Sequence, residues 1–257
     1  YSQKREDRKL LPTLLAAAAT YPRSGGTFVE LGAFDGVTGS NTLLLERCFN
    51  WTGLLIEANP RNFAALKRSG RRATVTHSAI CAGDGTTAVR ITTAGGVTAG
   101  DPTRFSEQFS RKWHGKSELT TTSVPCQSLN SLMDRSGLRR ATFLSLDVEG
   151  AEDIVLETMG DILFKIILVE TNRRSMTRVR NLLASANMTR VAVPALRKSE
   201  AWIRPELIGA AEPEARELAS LWRRGAHAGH QRDWKRVGAV AACIASGGCE
   251  ANANSNS

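Results

Sequence analysis

Apolar positions along the chain fall into short blocks separated by glycine, proline and charged turns. Residues 1–22 run charged and then apolar, predicting a leading helix that packs on the domain and stops near Pro22; Ser24-Gly25-Gly26 then turn the chain. Phe28–Leu31 is a β-prone block with an acid near its end, followed by a turn containing Gly32, Gly36 and Gly39 and a helical Thr42–Glu46. Strand-type blocks recur at Gly53–Ala58, Thr74–Ile80, Ala141–Asp147 and Lys165–Glu170. Helical spacing lies between them. Asn59-Pro60 starts a helix with Phe63 and Leu66 on one side, Val148–Met159 reads as another, and Met176, Val179, Leu182 and Leu183 mark a third. Gly83-Asp84-Gly85 signals a hairpin into Thr86–Thr92, Thr121–Val124 returns as a strand, and Leu129–Met133 sits on a short helix. Arg190–Val193 and Glu200–Ile203 read as antiparallel final strands. Strands alternating with helices predict an α/β fold: a mostly parallel, doubly wound sheet with an antiparallel edge.

Two stretches break the rhythm. Residues 93–120 are rich in glycine and serine and carry the basic-aromatic run Arg111-Lys112-Trp113-His114; they read as an inserted loop able to lie over a site. Beyond Pro205, Ala215, Leu218, Leu221 and Trp222 share one helical side, as do Trp234, Val237, Ala241 and Ile244, among many arginines. The last residues from Ser246 are low-complexity and read as disordered. The resulting division is a helical lead-in at 1–22, an α/β domain at 23–207 with its insertion near 93–120, and a basic helical extension at 208–257. No internal repeat is visible.

Composition narrows the function class. The 257 residues are 42% hydrophobic and 23% charged, ordinary for a globular chain long enough to bury a core. The net charge of +9 permits acidic partners such as nucleic acid, anionic glycans or a membrane surface, and equally fits an arginine-rich proteome. No apolar run approaches the roughly 20 residues of a membrane span. Five cysteines form no C-x-x-C, which argues against a zinc ribbon, and their odd number leaves at least one unpaired. Cys81 and Cys126 could be neighbours, as two buried thiols or as a disulfide. Asn50-Trp51-Thr52 and Asn187-Met188-Thr189 match N-glycosylation sequons. No signal peptide is visible, and Tyr1 is not an initiator methionine. The secretory pathway (Golgi or endoplasmic reticulum lumen) is favoured over the cytoplasm.

Strand, glycine turn and helix at Phe28–Glu46 are the layout of a nucleotide-binding crossover. The dinucleotide fingerprint G-x-G-x-x-G fails because Phe34 stands two places after Gly32, and no G-x-x-x-x-G-K-[ST] is present. Acids mark four strand ends: Glu30 with Asp35, Glu57, Asp147 with Glu149, and Glu170. Ligands of open α/β sheets bind at such ends. Acids from four strand ends on one rim would repel one another unless a cationic or hydroxyl-rich ligand sits among them. S-adenosylmethionine (SAM), with its sulfonium and amino group, is such a ligand. Glu57 is then the acceptor for ribose hydroxyls, Glu30 and the Gly32–Gly36 backbone hold the methionine part, and His77-Ser78-Ala79 edges the adenine, with His77 itself read as a core residue.

The wording F-V-E-L-G-A-F-D-G-V-T-G-S-N-T, W-T-G-L-L-I-E-A-N-P, V-P-C-Q-S-L and F-L-S-L-D-V-E-G-A-E resembles FkbM-type class I SAM-dependent methyltransferases, in order and spacing, from about Tyr1 to Glu170. The eukaryotic Star-like branch looks nearest because of S-L-D-V-E-G-A-E. The family usually has Asp where Glu30 stands and often Asn where Phe34 stands. The resemblance implies a Rossmann-like fold and O-methylation of a sugar, glycan or other small hydroxyl acceptor. It also implies that Gln3, in an opening that looks like the family's leading motif, lies near the cofactor. The expected cofactor set is Gln3, Glu30, Gly32, Ala33, Asp35 and Gly36, continued by Asn41, Glu57, Ala58, Ser78, Ala79 and Asp147. Asp147 or Glu149 is the expected base, Asp147 slightly ahead, with Glu152 one turn into the helix on the same side as Glu149. A divalent metal on Asp147, Glu149 and Glu170 is compatible but not required. Two rival readings remain open: a nucleic-acid (RNA) methyltransferase, prompted by the basic charge, and a non-catalytic Star-like binding or trafficking module that kept the fold.

Overall fold

The computed structural model describes residues 2, 5–19, 26–114, 119–171, 175–191, 193, 196 and 198–204. The helices expected beyond Pro205, the stop at Pro22 and Gln3 lie outside them.

In chain order, α1 (Glu6–Ala19) leads into β1 (Thr27–Leu31), α2 (Leu43–Phe49), β2 (Thr52–Glu57), α3 (Pro60–Lys67) and β3 (Thr74–His77). A side excursion follows: β4 (Ala79–Ile80), β5 (Ala88–Thr92), α4 (Glu107–Trp113) and β6 (Thr121–Gln127). Then come α5 (Leu129–Arg135), β7 (Arg140–Leu146), α6 (Glu152–Glu157), β8 (Leu163–Glu170), α7 (Met176–Ser185), β9 (Thr189–Val191) and β10 (Ser199–Ile203).

The main sheet has seven strands in the order β3-β2-β1-β7-β8-β10-β9. The first five are parallel, and β10 runs antiparallel to both β8 and β9. Strand residues alternate between two apolar layers. Phe28, Leu55, Phe143 and Ile166 face a cluster with Leu10 and Leu14 of α1, while Val29, Leu54, Leu144 and Ile167 face one with Leu129, Val155, Val179 and Leu183. Burial on both faces is why these strands read as continuous apolar runs. Each fully buried Leu or Phe contributes roughly 1.5–3 kcal/mol.

The excursion forms a small sheet ordered β4-β6-β5. The single third strand expected over Thr74–Ile80 is divided at Ser78. The Ser78 N–H donates to the Glu57 carbonyl at 3.2 Å, after which Ala79 leaves the main sheet to pair with Cys126. Cys81 and Cys126 form a disulfide, with Cα atoms 5.6 Å apart, that closes the base of the excursion. Within 93–120 the structure has a helix, α4, started by Ser106, whose hydroxyl accepts the Phe109 N–H at 3.1 Å. The helix expected over Val148–Met159 begins only at Glu152, because Glu149 (φ 53°) and Gly150 (φ 109°) occupy a left-handed turn.

Candidate functional site

A cavity of about 930 Å³ opens beyond the carboxyl ends of β1, β2, β7 and β8, and the excursion roofs it. Its first wall is the turn after β1. Gly32 (φ 74°) approaches β7 so closely that a Cβ there would lie 1.8 Å from the Asp147 carbonyl oxygen, so no side chain fits. Gly32, Ala33, Phe34 and Asn41 line the cavity. Asp35 and Gly36 do not. The Asp35 carboxylate instead accepts the Val37 and Thr38 N–H groups at 2.8 and 2.7 Å, and Gly36 offers its carbonyl to Arg71 at 2.6 Å. Both shape the turn from behind.

Glu30 reaches the cavity wall, yet its carboxylate is gathered by the Ser40 hydroxyl (2.8 Å), the Asn41 N–H (2.8 Å) and the Thr42 hydroxyl (2.6 Å). Arg71, wholly buried, ties the same turn together. It donates to Glu46 (3.0 Å), Gly36 O, Ser40 Oγ (3.1 Å) and Thr42 Oγ1 (2.8 Å), and lies 3.9 Å from Glu30. A buried arginine so placed fixes the turn by satisfying two buried carboxylates at once. Asn41 donates through Nδ2 to Ser145 at 2.9 Å. Its Oδ1, buried at the cavity wall, accepts no hydrogen bond among the described residues.

The second wall is the end of β2. Glu57 accepts the Phe34 N–H at 2.8 Å on one oxygen and the Asn59 N–H at 2.7 Å on the other, with Asn62 Nδ2 at 3.5 Å. Burial pushes its pKa up to about 7, against those donors, which favour the anion. Ala58, Ser78 and Ala79 line the cavity beside it. His77 does not; it is half-buried, and its ring stacks on Phe63 at 4.8 Å and pairs with the Ala58 carbonyl at 3.0 Å.

The floor is acidic. Asp147, Glu149 and Glu170 each bring one carboxylate oxygen to within 4.8 Å of the others. Asp147 is exposed at the cavity wall, and its carboxyl is held well above the usual range by desolvation, by the charge of Glu170 and by a hydrogen bond with Glu170. Burial also raises Glu170. Glu149 rises to about 8 through burial and the charges of Asp147 and Glu152, with Lys198 opposing from the rim. Glu152 does not join the cavity. It is buried in the turn, accepting the Gly150 N–H at 3.0 Å and the Ser175 hydroxyl at 3.1 Å. The spacing of the three floor acids could admit a hard divalent cation.

The roof is the excursion. Gly100 lies against Glu149 and Phe105; a Cβ on it would meet Phe105 Cε1 at 2.9 Å and Glu149 Cβ at 3.4 Å. Arg104 donates to the Gly150 carbonyl at 3.3 Å and to Asp153 at 3.0 Å. Gln108, Phe109, Lys112 and Trp113 of α4 face the cavity mouth, and Trp113 is 52% exposed. Near the N-terminus, Ser2 bridges to Gly39 and Glu6 lines the cavity. The expected set therefore converges except for Asp35 and Gly36, which stand behind the turn, and Gln3, outside the described residues. Arg71, Asn62 and Lys198 were not expected from the sequence; Asn62, three residues after the Asn59 cap, carried a local signal, and the other two carried none.

A sheet of this order, with a glycine turn after its first strand and an acid ending the second, has the Rossmann-like fold of class I methyltransferases. More particularly, the chain belongs to the methyltransferase FkbM domain family, whose model matches residues 30–189. It is similar in structure to methyltransferase FkbM from Methylobacillus flagellatus KT, at 13% identity and TM-score 0.43 over 71% of this chain and 44% of that one. It thus spans less than half the length of that protein. Human methyltransferase-like protein 13 in complex with SAH is similar at 13% identity and TM-score 0.43, over 85% of this chain and 92% of that one. M. capricolum TrmK in complex with S-adenosyl-homocysteine follows at 6% identity and TM-score 0.37, over 90% and 96%. No curated protein matches the chain.

Proposed function

We propose that the protein methylates a hydroxyl group of a sugar, glycan or other small molecule. The observation that carries this reading is Glu149, set beside the Asp147–Glu170 pair on the cavity floor and covered by Gly100 of the roof. SAM supplies, when bound, a methyl group on a positively charged sulfur. The residues present fit it. The unpartnered Asn41 Oδ1 is an acceptor suited to its ammonium, the side-chain-free Gly32 lets it approach backbone, and the Glu57 oxygens keep lone pairs for ribose hydroxyls. A cationic ligand would also relieve the repulsion among the floor acids and bring their pKa values down.

The chain's own task is positioning and proton removal. Desolvation and the charge of Glu170 hold the Asp147 carboxyl well above the usual range, which leaves Glu149, pushed up to about 8 beside it, as the floor acid placed to serve as base. This shifts the role of base from Asp147, slightly ahead on sequence, to Glu149. As the acceptor oxygen gains its methyl group, its proton passes to the Glu149 carboxylate, while Asp147 orients the hydroxyl.

The base works ionised, so turnover should rise with pH through an inflection at or below about 8 and then level. Glu149→Gln should lower kcat roughly a hundredfold or more, remove that inflection and leave the SAM Kd within a few-fold. An unchanged pH profile in that variant would exclude Glu149 as the base. Because Glu149 has its pKa raised on folding, its contribution to stability is complete below the ordinary carboxylate range and is lost as pH rises through about 8; the ligand-free Tm should fall across that window. The acceptor class is tested by labelled-methyl transfer to glycans, small alcohols and RNA. Label on glycans or alcohols supports the proposal, and label confined to RNA or absent altogether overturns it.

A further inference from the structure

The two sequons occupy the same kind of place in the fold. Asn50 closes α2 in a left-handed conformation (φ 54°), and Asn187 follows α7 in the same conformation (φ 57°). In each case the middle residue is an anchor in the core, Trp51 at 2% and Met188 at 5% exposure, and the threonine opens a strand. Asn50, Thr52, Asn187 and Thr189 are all exposed. Asparagine suits a left-handed helix end, as glycine does; that alone does not require a threonine two places on. Arg72 donates to Asn50 Oδ1 at 2.8 Å, and Asn50 Nδ2 has no hydrogen-bond partner among the described residues.

Sheet topology puts both asparagines on the rim opposite the cavity. Thr52 begins β2 and Glu57 ends it at the cavity, about 17 Å away at 3.3 Å per residue. Thr189 pairs with Ile203, which pairs with Ile166, four residues before Glu170 on β8. None of the six sequon residues lines the cavity. A bulky group on either asparagine would stand clear of cofactor and acceptor. The Cys81–Cys126 disulfide is the independent observation, since such bonds form and persist where the surroundings are oxidising, as they are where N-glycans are added.

We propose that Asn50 and Asn187 carry N-linked glycans, attached in an oxidising secretory compartment, on the face away from the active site. In the attachment, the asparagine Nδ2 bonds to the anomeric carbon of a lipid-diphosphate-linked oligosaccharide. The carbon–oxygen bond to the diphosphate breaks, the lipid diphosphate leaves with the electron pair, and the nitrogen loses one proton.

The test uses the full-length protein purified from its own cells. Peptides spanning Asn50 and Asn187 are weighed before and after an N-glycan-releasing amidase acts in heavy-oxygen water. Both should appear only after release, with Asn converted to Asp and labelled by the heavy oxygen. An unmodified asparagine at either position overturns the assignment there. The SAM Kd of the intact and released protein should agree within twofold, and a larger change overturns the placement clear of the site.

Discussion

Glu57→Ala is expected to raise the SAM Kd about 10²–10⁴-fold, the loss of two hydrogen bonds from ribose hydroxyls to a charged acceptor at roughly 1.5–3 kcal/mol each. The same carboxylate also satisfies the Phe34 and Asn59 N–H groups, so alanine would strand two donors inside the protein and loosen the turn as well. Glu57→Gln separates the two effects. It keeps the volume and one acceptor oxygen but strands one of the two backbone donors, so its Tm should fall less than that of the alanine variant while calorimetry reports a Kd raised at least tenfold. Normal SAM affinity in both variants would refute the pose.

Replacing Cys81 and Cys126 together by serine should cost about 4 kcal/mol of unfolding free energy, from loop-closure entropy over their separation of 45 residues. The enclosed excursion contains β5, α4 and β6, and its strands supply Ile91 and Val124 to a small apolar cluster of their own. That cluster is too small to hold the excursion down unaided. Urea denaturation of the double variant, compared with the parent in the presence and absence of reductant, measures the difference. A loss below 1 kcal/mol would show that the remaining contacts secure the roof without the disulfide.

Legibility followed burial. Leu54-Leu55-Ile56 and Ile166–Val169 were readable as strands because both of their faces are apolar, and a strand buried on both sides leaves that trace in one dimension. The acids ending those strands were readable for the same reason: a charge closing an apolar run marks the chain's exit to a rim. The family was legible in D-V-E-G-A-E after I-E-A-N-P. The break at Ser78 was not, because it depends on a hydrogen bond to the Glu57 carbonyl that no local pattern announces. Arg71 stood in a run of charged residues that reads as solvent-facing, and only the closed turn around it makes it internal. Asp35 was expected in the cavity as an acid just past the first strand; its carboxylate is occupied by the Val37 and Thr38 N–H groups.

The roof is held from the cofactor side as well. Asn59 Nδ2 donates to the Thr92 and Ala94 carbonyls at 2.6 and 3.0 Å, and Asn62 exchanges two hydrogen bonds with Gly96, at 3.0 and 2.9 Å. Those amides sit directly beside Glu57, and the strand of loop they grip continues to Gly100 above Glu149. A ligand settling against Glu57 would therefore bear on the loop that passes over Glu149. The expected result is an ordered scheme, SAM in first and S-adenosylhomocysteine out last, with S-adenosylhomocysteine competing against SAM alone in product-inhibition measurements.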